Sequence, residues 1–227
     1  MDERLARIRH AYDLTVEQYH AGIDPLDLVP TALRNSPELA DLLNDAAACN
    51  SGAPENRGFL APRVGMRFLD VGCATGLERH RLYEWDSTYF AVDISPKLIA
   101  AMTQFAQTRE IPVGGLVVAE VGNLPFGANS FDITAVIGVL EYCAADYVGY
   151  ALGELHRVVR PDAKVVLDIP NLEHPNVDTM FQLEKCLGRE GVRHSRSTFE
   201  KQLEPLFSVE RCDDEHVMLK YFCRATK

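Results

Sequence analysis

The chain has 227 residues, with 23 Lys and Arg against 33 Asp and Glu and a formal net charge of −10. Hydrophobic residues make up 47% and charged residues 25%, a globular balance that excludes collagen, wholesale disorder and a disulfide scaffold. A pI near 5.2 argues against a broad nucleic-acid-binding face, which needs clustered Lys and Arg, and suits a site that welcomes a cation.

Six cysteines stand at 49, 73, 143, 186, 212 and 223, no two of them at C-x-x-C spacing. Reduced thiols are expected. Met1-Asp2-Glu3-Arg4 lacks the basic-then-apolar pattern of a signal peptide, and no stretch offers the ~18 apolar residues of a membrane span. The expectation is a soluble, cytoplasmic protein, monomer or homodimer, with neither nucleic acid nor membrane as a partner.

Residues 1–50 read as helical. Leu5, Ile8, Tyr12, Val16 and Tyr19 recur at steps of three and four, as one helix face would. Ser36-Pro37-Glu38 predicts a second start: a hydroxyl cap, proline at the first helical position and an acid at the positive helix end. Leu39, Leu42, Leu43 and Ala46 would form its apolar face. Ser51–Gly58, rich in Gly, Pro and Asn, reads as a linker or mobile loop.

From Arg63 onward, short apolar runs alternate with helical patterns. Met66–Val71, Tyr89–Asp93, Leu116–Glu120, Phe131–Gly138 and Lys164–Ile169 read as strands, with helices near 76–84, 96–109 and 146–160. Nearly continuous apolar strands separated by helices point to βαβ units and a parallel sheet covered on both faces. After Pro170 the pattern predicts a helix over about 178–188. Ser197-Thr198-Phe199-Glu200 then reads as a capping box opening another helix. Strands over about 207–212 and 217–224 follow, joined by the turn Asp213-Asp214-Glu215, and would form an antiparallel hairpin.

The informative segment is Arg67-Phe68-Leu69-Asp70-Val71-Gly72-Cys73-Ala74-Thr75-Gly76-Leu77, a buried strand running through small residues into a helix. Small residues let a ligand approach backbone amides. Asp70, at the strand end, makes the local charge negative, unlike a loop that offers amides to a pyrophosphate. The expected ligand has an adenosine-like body and a cationic group near the turn. Asp93 ends the next strand, 21 residues after Gly72, a distance at which an acid caps ribose hydroxyls.

With Ala91-Val92-Asp93-Ile94-Ser95, Asn123-Leu124-Pro125-Phe126, Ser130-Phe131-Asp132, Val139-Leu140-Glu141-Tyr142 and Glu154-Leu155-His156-Arg157-Val158-Val159-Arg160-Pro161, this segment resembles the class I S-adenosylmethionine-dependent methyltransferases of small molecules. The resemblance covers about residues 64–170. It implies an α/β fold: a Rossmann-like seven-stranded sheet of order 3-2-1-4-5-7-6 with strand 7 antiparallel. Residues 61–227 would be the donor-binding domain, with an insertion at about 171–200 and an N-terminal helical lid over 1–60. S-adenosyl-L-methionine is the implied cofactor, S-adenosyl-L-homocysteine its product, a small molecule the acceptor, and no metal is called for.

Carried over by position, Asp70, Gly72, Cys73, Ala74 and Gly76 would hold the amino-acid end of the cofactor. Asp93 would take the ribose hydroxyls and Ile94 would lie against adenine. Glu120, Val121, Asn123 and Leu124 would line the adenine end, and Gly138 and Val139 would face the sulfonium. Ala74 stands where the family has its middle glycine, which requires a negative φ there. Val121-Gly122-Asn123 replaces the usual acidic–alanine run, and Arg160-Pro161-Asp162-Ala163 replaces Lys-Pro-Gly-Gly.

Acceptor-side residues are less marked. His174 and Glu141 are candidate bases; equally, His174 reads as a solvated loop residue and Glu141 as a helix-start carboxylate. Tyr12, Tyr19, His20, Tyr142, Asn171 and Arg193 are candidate acceptor contacts, with ordinary packing as the other reading of the two N-terminal tyrosines. Arg189, Arg193, Arg196 and His194 would recognise an acidic acceptor or simply be solvated. A nicotinamide-dependent Rossmann oxidoreductase and a non-catalytic binding module are the competing functions.

Overall fold

The strands marked by apolar runs pair into one seven-stranded sheet. In chain order they are β1 (Met66–Val71), β2 (Ser87–Asp93), β3 (Gly115–Val118), β4 (Phe131–Val136), β5 (Val159–Pro170), β6 (Phe207–Asp213) and β7 (Met218–Ala225). The order across the sheet is β3-β2-β1-β4-β5-β7-β6. β1 pairs in parallel with β2 and β4, β2 with β3, and β4 with β5. β7 runs antiparallel to both β5 and β6. The computed structural model describes residues 3–48 and 50–226, without the side chains of 46–48. The readings made of Met1, Asp2, Cys49 and the Ala46 side chain lie outside the described residues.

Register decides where a site can form. Val71 pairs with both Val92 and Val136, so the carboxyl ends of β1, β2 and β4 are flush. The chain leaves β1 toward β2 and returns on the other side to β4. That reversal opens a crevice beyond the strand ends, the usual ligand position in open α/β sheets.

The helices are α1 (Glu3–His20), α2 (Thr31–Arg34), α3 (Pro37–Ala48), α4 (Pro54–Leu60), α5 (Gly76–Arg79), α6 (Pro96–Thr108), α7 (Ala145–Val158), α8 (Val177–Cys186) and α9 (Arg196–Leu203). Alternation along each strand feeds two cores. Leu69, Val71, Val136, Val165 and Leu167 pack with Leu152 and Leu155 of α7 and with Phe199 and Leu203 of α9. Phe68, Tyr89, Ala135 and Val166 point the other way, against Leu60, Leu77, Ile99 and Met102 from α4, α5 and α6. A third cluster joins Leu39 and Leu42 of α3 to Val177 and Leu183 of α8.

Several sequence expectations are corrected. Ser51–Gly58 is no mobile linker: Pro54 opens α4, whose Leu60 is buried and whose Phe59 ring meets Phe222 edge-on at 5.2 Å. Glu55 on this helix pairs with the fully buried Lys220 of β7 at 2.6 Å. Burying these groups outweighs the poor helix propensity of Gly58. The helix expected over 76–84 breaks after Arg79, because Arg81 adopts a left-handed φ of 51° before a short 3₁₀ turn over Leu82–Glu84. Strand β3 ends at Val118 rather than Glu120. The capping box does not form, since Ser195 caps α9 by accepting from the Thr198 N–H while Glu200 binds Arg196.

A Cβ added at Gly58 meets nothing within 4 Å, so Gly58→Ala should stabilise the protein by about 0.4–1 kcal/mol through loss of unfolded-state entropy. Urea unfolding measures this. No gain, or a loss, would contradict a helical α4.

Candidate functional site

The crevice is shaped by two turns that touch. Gly72 follows β1 with φ +72°, and a Cβ there would lie 2.3 Å from Val139 Cγ2, so only glycine lets this turn meet the one after β4. The N–H groups of Gly72 and Cys73 donate to the Val92 carbonyl at 2.8 and 3.1 Å. Ala74 has φ +40°, against the negative φ its side chain led us to expect. Its N–H donates to Asp93 Oδ2 at 2.9 Å. A left-handed non-glycine residue costs about 1–3 kcal/mol, and a hydrogen bond to a charged acceptor contributes about 1.5–3 kcal/mol, so the two roughly offset.

Asp93 ends β2 and is 5% exposed. Its Oδ1 accepts from the Ser95 N–H at 2.8 Å. Burial pushes its pKa up from 3.8 to about 6, and the N–H bonds from Ser95 and Ala74 work against that rise. Ser95 caps α6, and its hydroxyl donates to Asp13 Oδ1 of α1 at 2.6 Å. Glu17 of α1 pairs with Lys97. Helix α1 is thereby tied across the strand ends.

Between the turns and α1 lies a cavity of about 570 Å³, part of it open to solvent. Its walls include Gly72, Ala74, Asp93, Ile94, Glu120, Val121, Gly138 and Val139 from the expected cofactor set. Leu5, Ile8 and Tyr12 of α1 form the roof, and Tyr142 closes one side. Among the described residues no lysine or arginine lines it, whereas two acids do. Glu120 Oε2 is buried without a hydrogen-bond partner. The Ala119 N–H donates to the Asp93 carbonyl at 3.0 Å, which sets Glu120 beside Asp93. Beyond β4, Gly138 has φ +70° and its N–H donates to Asp168 Oδ1 at 2.9 Å.

Five residues expected at the cofactor do not line this cavity. Asp70 is fully buried beneath the turn, where its carboxylate accepts from the Ser51 hydroxyl at 2.9 Å and the Tyr89 hydroxyl at 2.8 Å. Burial raises its pKa to about 6. It organises the turn from below. Gly76 rests on that carboxylate, a Cβ there lying 3.1 Å from Asp70 Oδ2. Cys73 is buried among the residues under α5, and burial keeps its thiol protonated. Leu124 is buried, its N–H bound to Glu154 Oε2 at 3.0 Å. Asn123 is exposed.

The acceptor candidates divide similarly. Tyr12 and Tyr142 meet at the cavity, with the Tyr12 hydroxyl 3.2 Å from that of Tyr142. Glu141 is buried behind Gly138, away from the lining. Burial first, and Asp168 second, hold it far above the usual carboxyl range. Tyr19 is 77% exposed and His20 is also exposed. His174 sits in a loop, accepting from the Asn176 N–H at 3.2 Å. The Asn171 amide donates to the Asp214 and His216 carbonyls. Arg193 pairs with Asp178 and covers the Phe181 ring, Arg196 pairs with Glu200 and Asp214, and Arg189 pairs with Glu184. The arginines therefore do not converge. Imidazole His194 is buried against the Leu140 carbonyl at 3.0 Å.

The sequence reading also passed over cavity residues Val71, Val92, Ala119 and Cys143. Strand-end position was the only signal for Val71, Val92 and Ala119, and Cys143, well past β4, had none. Among the described residues no three His, Cys, Asp or Glu side chains are grouped to hold a metal ion, and no helix is long and apolar enough to cross a membrane.

A family model described as a methyltransferase domain matches residues 69–167. The ubiquinone/menaquinone biosynthesis C-methyltransferase of Dinoroseobacter shibae is 28% identical over 130 residues, 55% of this chain and 51% of that protein. The chain spans about half the length of the curated relatives it matches. The magnesium protoporphyrin IX methyltransferase of Synechocystis, solved with bound S-adenosylmethionine, superposes with a TM-score of 0.65 at 13% identity, covering 100% of this chain and 99% of that one. The 1,6-didemethyltoxoflavin-N1-methyltransferase of Burkholderia thailandensis gives 0.62 at 19% identity, covering 95% and 87%. These two structures share the methyltransferase fold.

Both raised carboxyls predict a pH effect on stability. A native pKa near 6 against an ordinary 3.8 means the folded state binds more protons between those values, so this contribution is present below about pH 4 and is lost as pH rises through about 6. The advantage of the wild type over Asp70→Asn should therefore be larger at pH 5 than at pH 7 in urea unfolding. An equal or reversed difference would contradict the burial assigned to Asp70.

Proposed function

We propose that the protein transfers a methyl group from S-adenosylmethionine to a small-molecule acceptor and releases S-adenosylhomocysteine. The carrying observation is Asp93, at the end of β2, and Glu120, just past β3, on one cavity, the second with an unpartnered buried oxygen. Such a pair suits a nucleoside that donates hydroxyls at one end and an amine at the other. Asp93 would hold the ribose, with Ile94 against adenine, Glu120 and Val121 at the adenine edge, Gly72 and Ala74 beside the amino-acid end, and Gly138 and Val139 near the sulfur. An acidic, lysine- and arginine-free lining suits a positively charged donor better than a pyrophosphate, which weighs against a nicotinamide cofactor.

When bound, the donor supplies an electrophilic methyl carbon whose sulfur keeps the electron pair of the broken bond. The chain's own part is to position and to exclude water. Orientation of reactants supplies about 7–11 kcal/mol in such reactions. The apolar roof of Leu5 and Ile8 and the walls Val71, Val92 and Val139 keep the site dry, which favours loss of charge on sulfur. The small size of the acceptor is supported by the roofed cavity and by a net charge of −10, which disfavours nucleic acid.

Asp93→Ala should weaken S-adenosylhomocysteine binding by about 1–3 kcal/mol, whereas Asp70→Asn, away from the cavity wall, should leave it within about threefold. Isothermal titration measures both. Unchanged affinity in Asp93→Ala would count against the ribose assignment.

A further inference from the structure

Three polar side chains lead out of the cavity in a line. Tyr12 Oη lies 3.2 Å from Tyr142 Oη, and Tyr142 Oη lies 2.7 Å from Glu184 Oε2. The direction of the hydrogens follows from chemistry: a carboxylate only accepts, so Tyr142 donates to Glu184 and must accept from Tyr12. Arg189 pairs with Glu184, its Nε 2.8 Å from the carboxylate, and lays its guanidinium 4.8 Å over the Tyr12 ring. Once Tyr12 has given its hydrogen to Tyr142, its oxygen keeps lone pairs, and among the described residues no donor fills them. Tyr12 lines the cavity. Burial drives both phenols above their ordinary range, so they carry their hydrogens and pass protons along instead of standing as phenolates.

We propose that Tyr12, Tyr142 and Glu184 form a proton relay from the acceptor pocket and that the acceptor is a hydroxyl compound of the phenol or enol class, bound with its O–H donated to Tyr12. This rests on the methyl-donor reading of the same cavity. As the acceptor oxygen bonds to the methyl carbon, the carbon–sulfur bond breaks and sulfur keeps its electron pair. The hydroxyl proton passes to Tyr12 as Tyr12 hands its own to Tyr142 and Tyr142 hands its own to the Glu184 carboxylate. Glu184, 17% exposed, then releases the proton to solvent. A carbon acceptor offers no comparable hydrogen-bond donor to Tyr12, and an amine can be alkylated first and lose its proton to water afterwards. A hydroxyl gives up its proton during transfer, which is the case a relay serves.

The test uses the full chain loaded with S-adenosylhomocysteine and two probes, 4-methylphenol and its methyl ether 4-methylanisole, by isothermal titration. The phenol should bind about tenfold tighter than the ether, and Tyr12→Phe should bring the ratio to about unity with S-adenosylhomocysteine affinity within about twofold. With S-adenosylmethionine and 4-methylphenol, Glu184→Gln should lower kcat about 100-fold or more at nearly unchanged KM, and Glu184→Asp should recover part of the loss. Equal binding of the two probes, a preference that survives Tyr12→Phe, or a Glu184→Gln variant that changes KM alone would overturn the relay and leave the donor reading standing. Failure of S-adenosylhomocysteine to bind the wild type would overturn both.

Discussion

One carboxylate connects the parts of the site. Asp93 accepts the Ala74 N–H with one oxygen and the Ser95 N–H with the other. The first bond holds Ala74 in its left-handed conformation and so fixes the turn after β1. The second places Ser95 to cap α6 and to bind Asp13 on α1. Turn, helix start and roof are thus set by one side chain that also faces the cavity. Each carboxylate oxygen has further lone pairs, so fixing the frame leaves capacity to accept ligand hydroxyls.

Buried acids recur around this frame, each with a different partner. Asp70 takes two hydroxyls below the turn, and Asp168 takes the Gly138 N–H behind the second turn. Burial raises the pKa of Asp168 to about 7, while the Gly138 N–H and Lys220 oppose the rise. An ionised carboxylate in such surroundings is costly unless it gathers donors. The donors here are backbone N–H groups and hydroxyls of the segments that must be positioned. Acidic side chains are thereby used as fasteners for glycine-bearing turns, and among the described acids Asp93 and Glu120 alone line the cavity itself.

The strands and their alternation with helices were legible because short, mostly apolar runs such as Met66–Val71 and Phe131–Val136 have few other uses. That Asp93 ends a strand was legible from the apolar run before it, and the sheet order followed from family resemblance. The place of Asp70 beneath the turn was not foreseen because strand-end position was weighed without the period of two. Counting from Phe68, which faces the α5 and α6 side, Asp70 lies on that face, while Leu69 and Val71 lie on the other. The left-handed Ala74 was not legible, since a side chain 19 residues away stabilises it. Helix α4 was hidden by its Gly, Pro and Asn content, which local propensity reads as loop although Lys220 and Phe222 of β7 hold it in place. The Tyr142–Glu184 pair joins residues 42 positions apart, and no local pattern marks it.

The most direct test of the central claim is a crystal structure of the protein with S-adenosylhomocysteine. The account predicts ribose hydroxyl oxygens within about 2.5–3.0 Å of the Asp93 carboxylate, the adenine amine on Glu120 Oε2, and the Ala74 N–H still on Asp93. A nucleoside bound outside the Asp93–Glu120 cavity, or one whose entry breaks the Ala74–Asp93 bond, would contradict it.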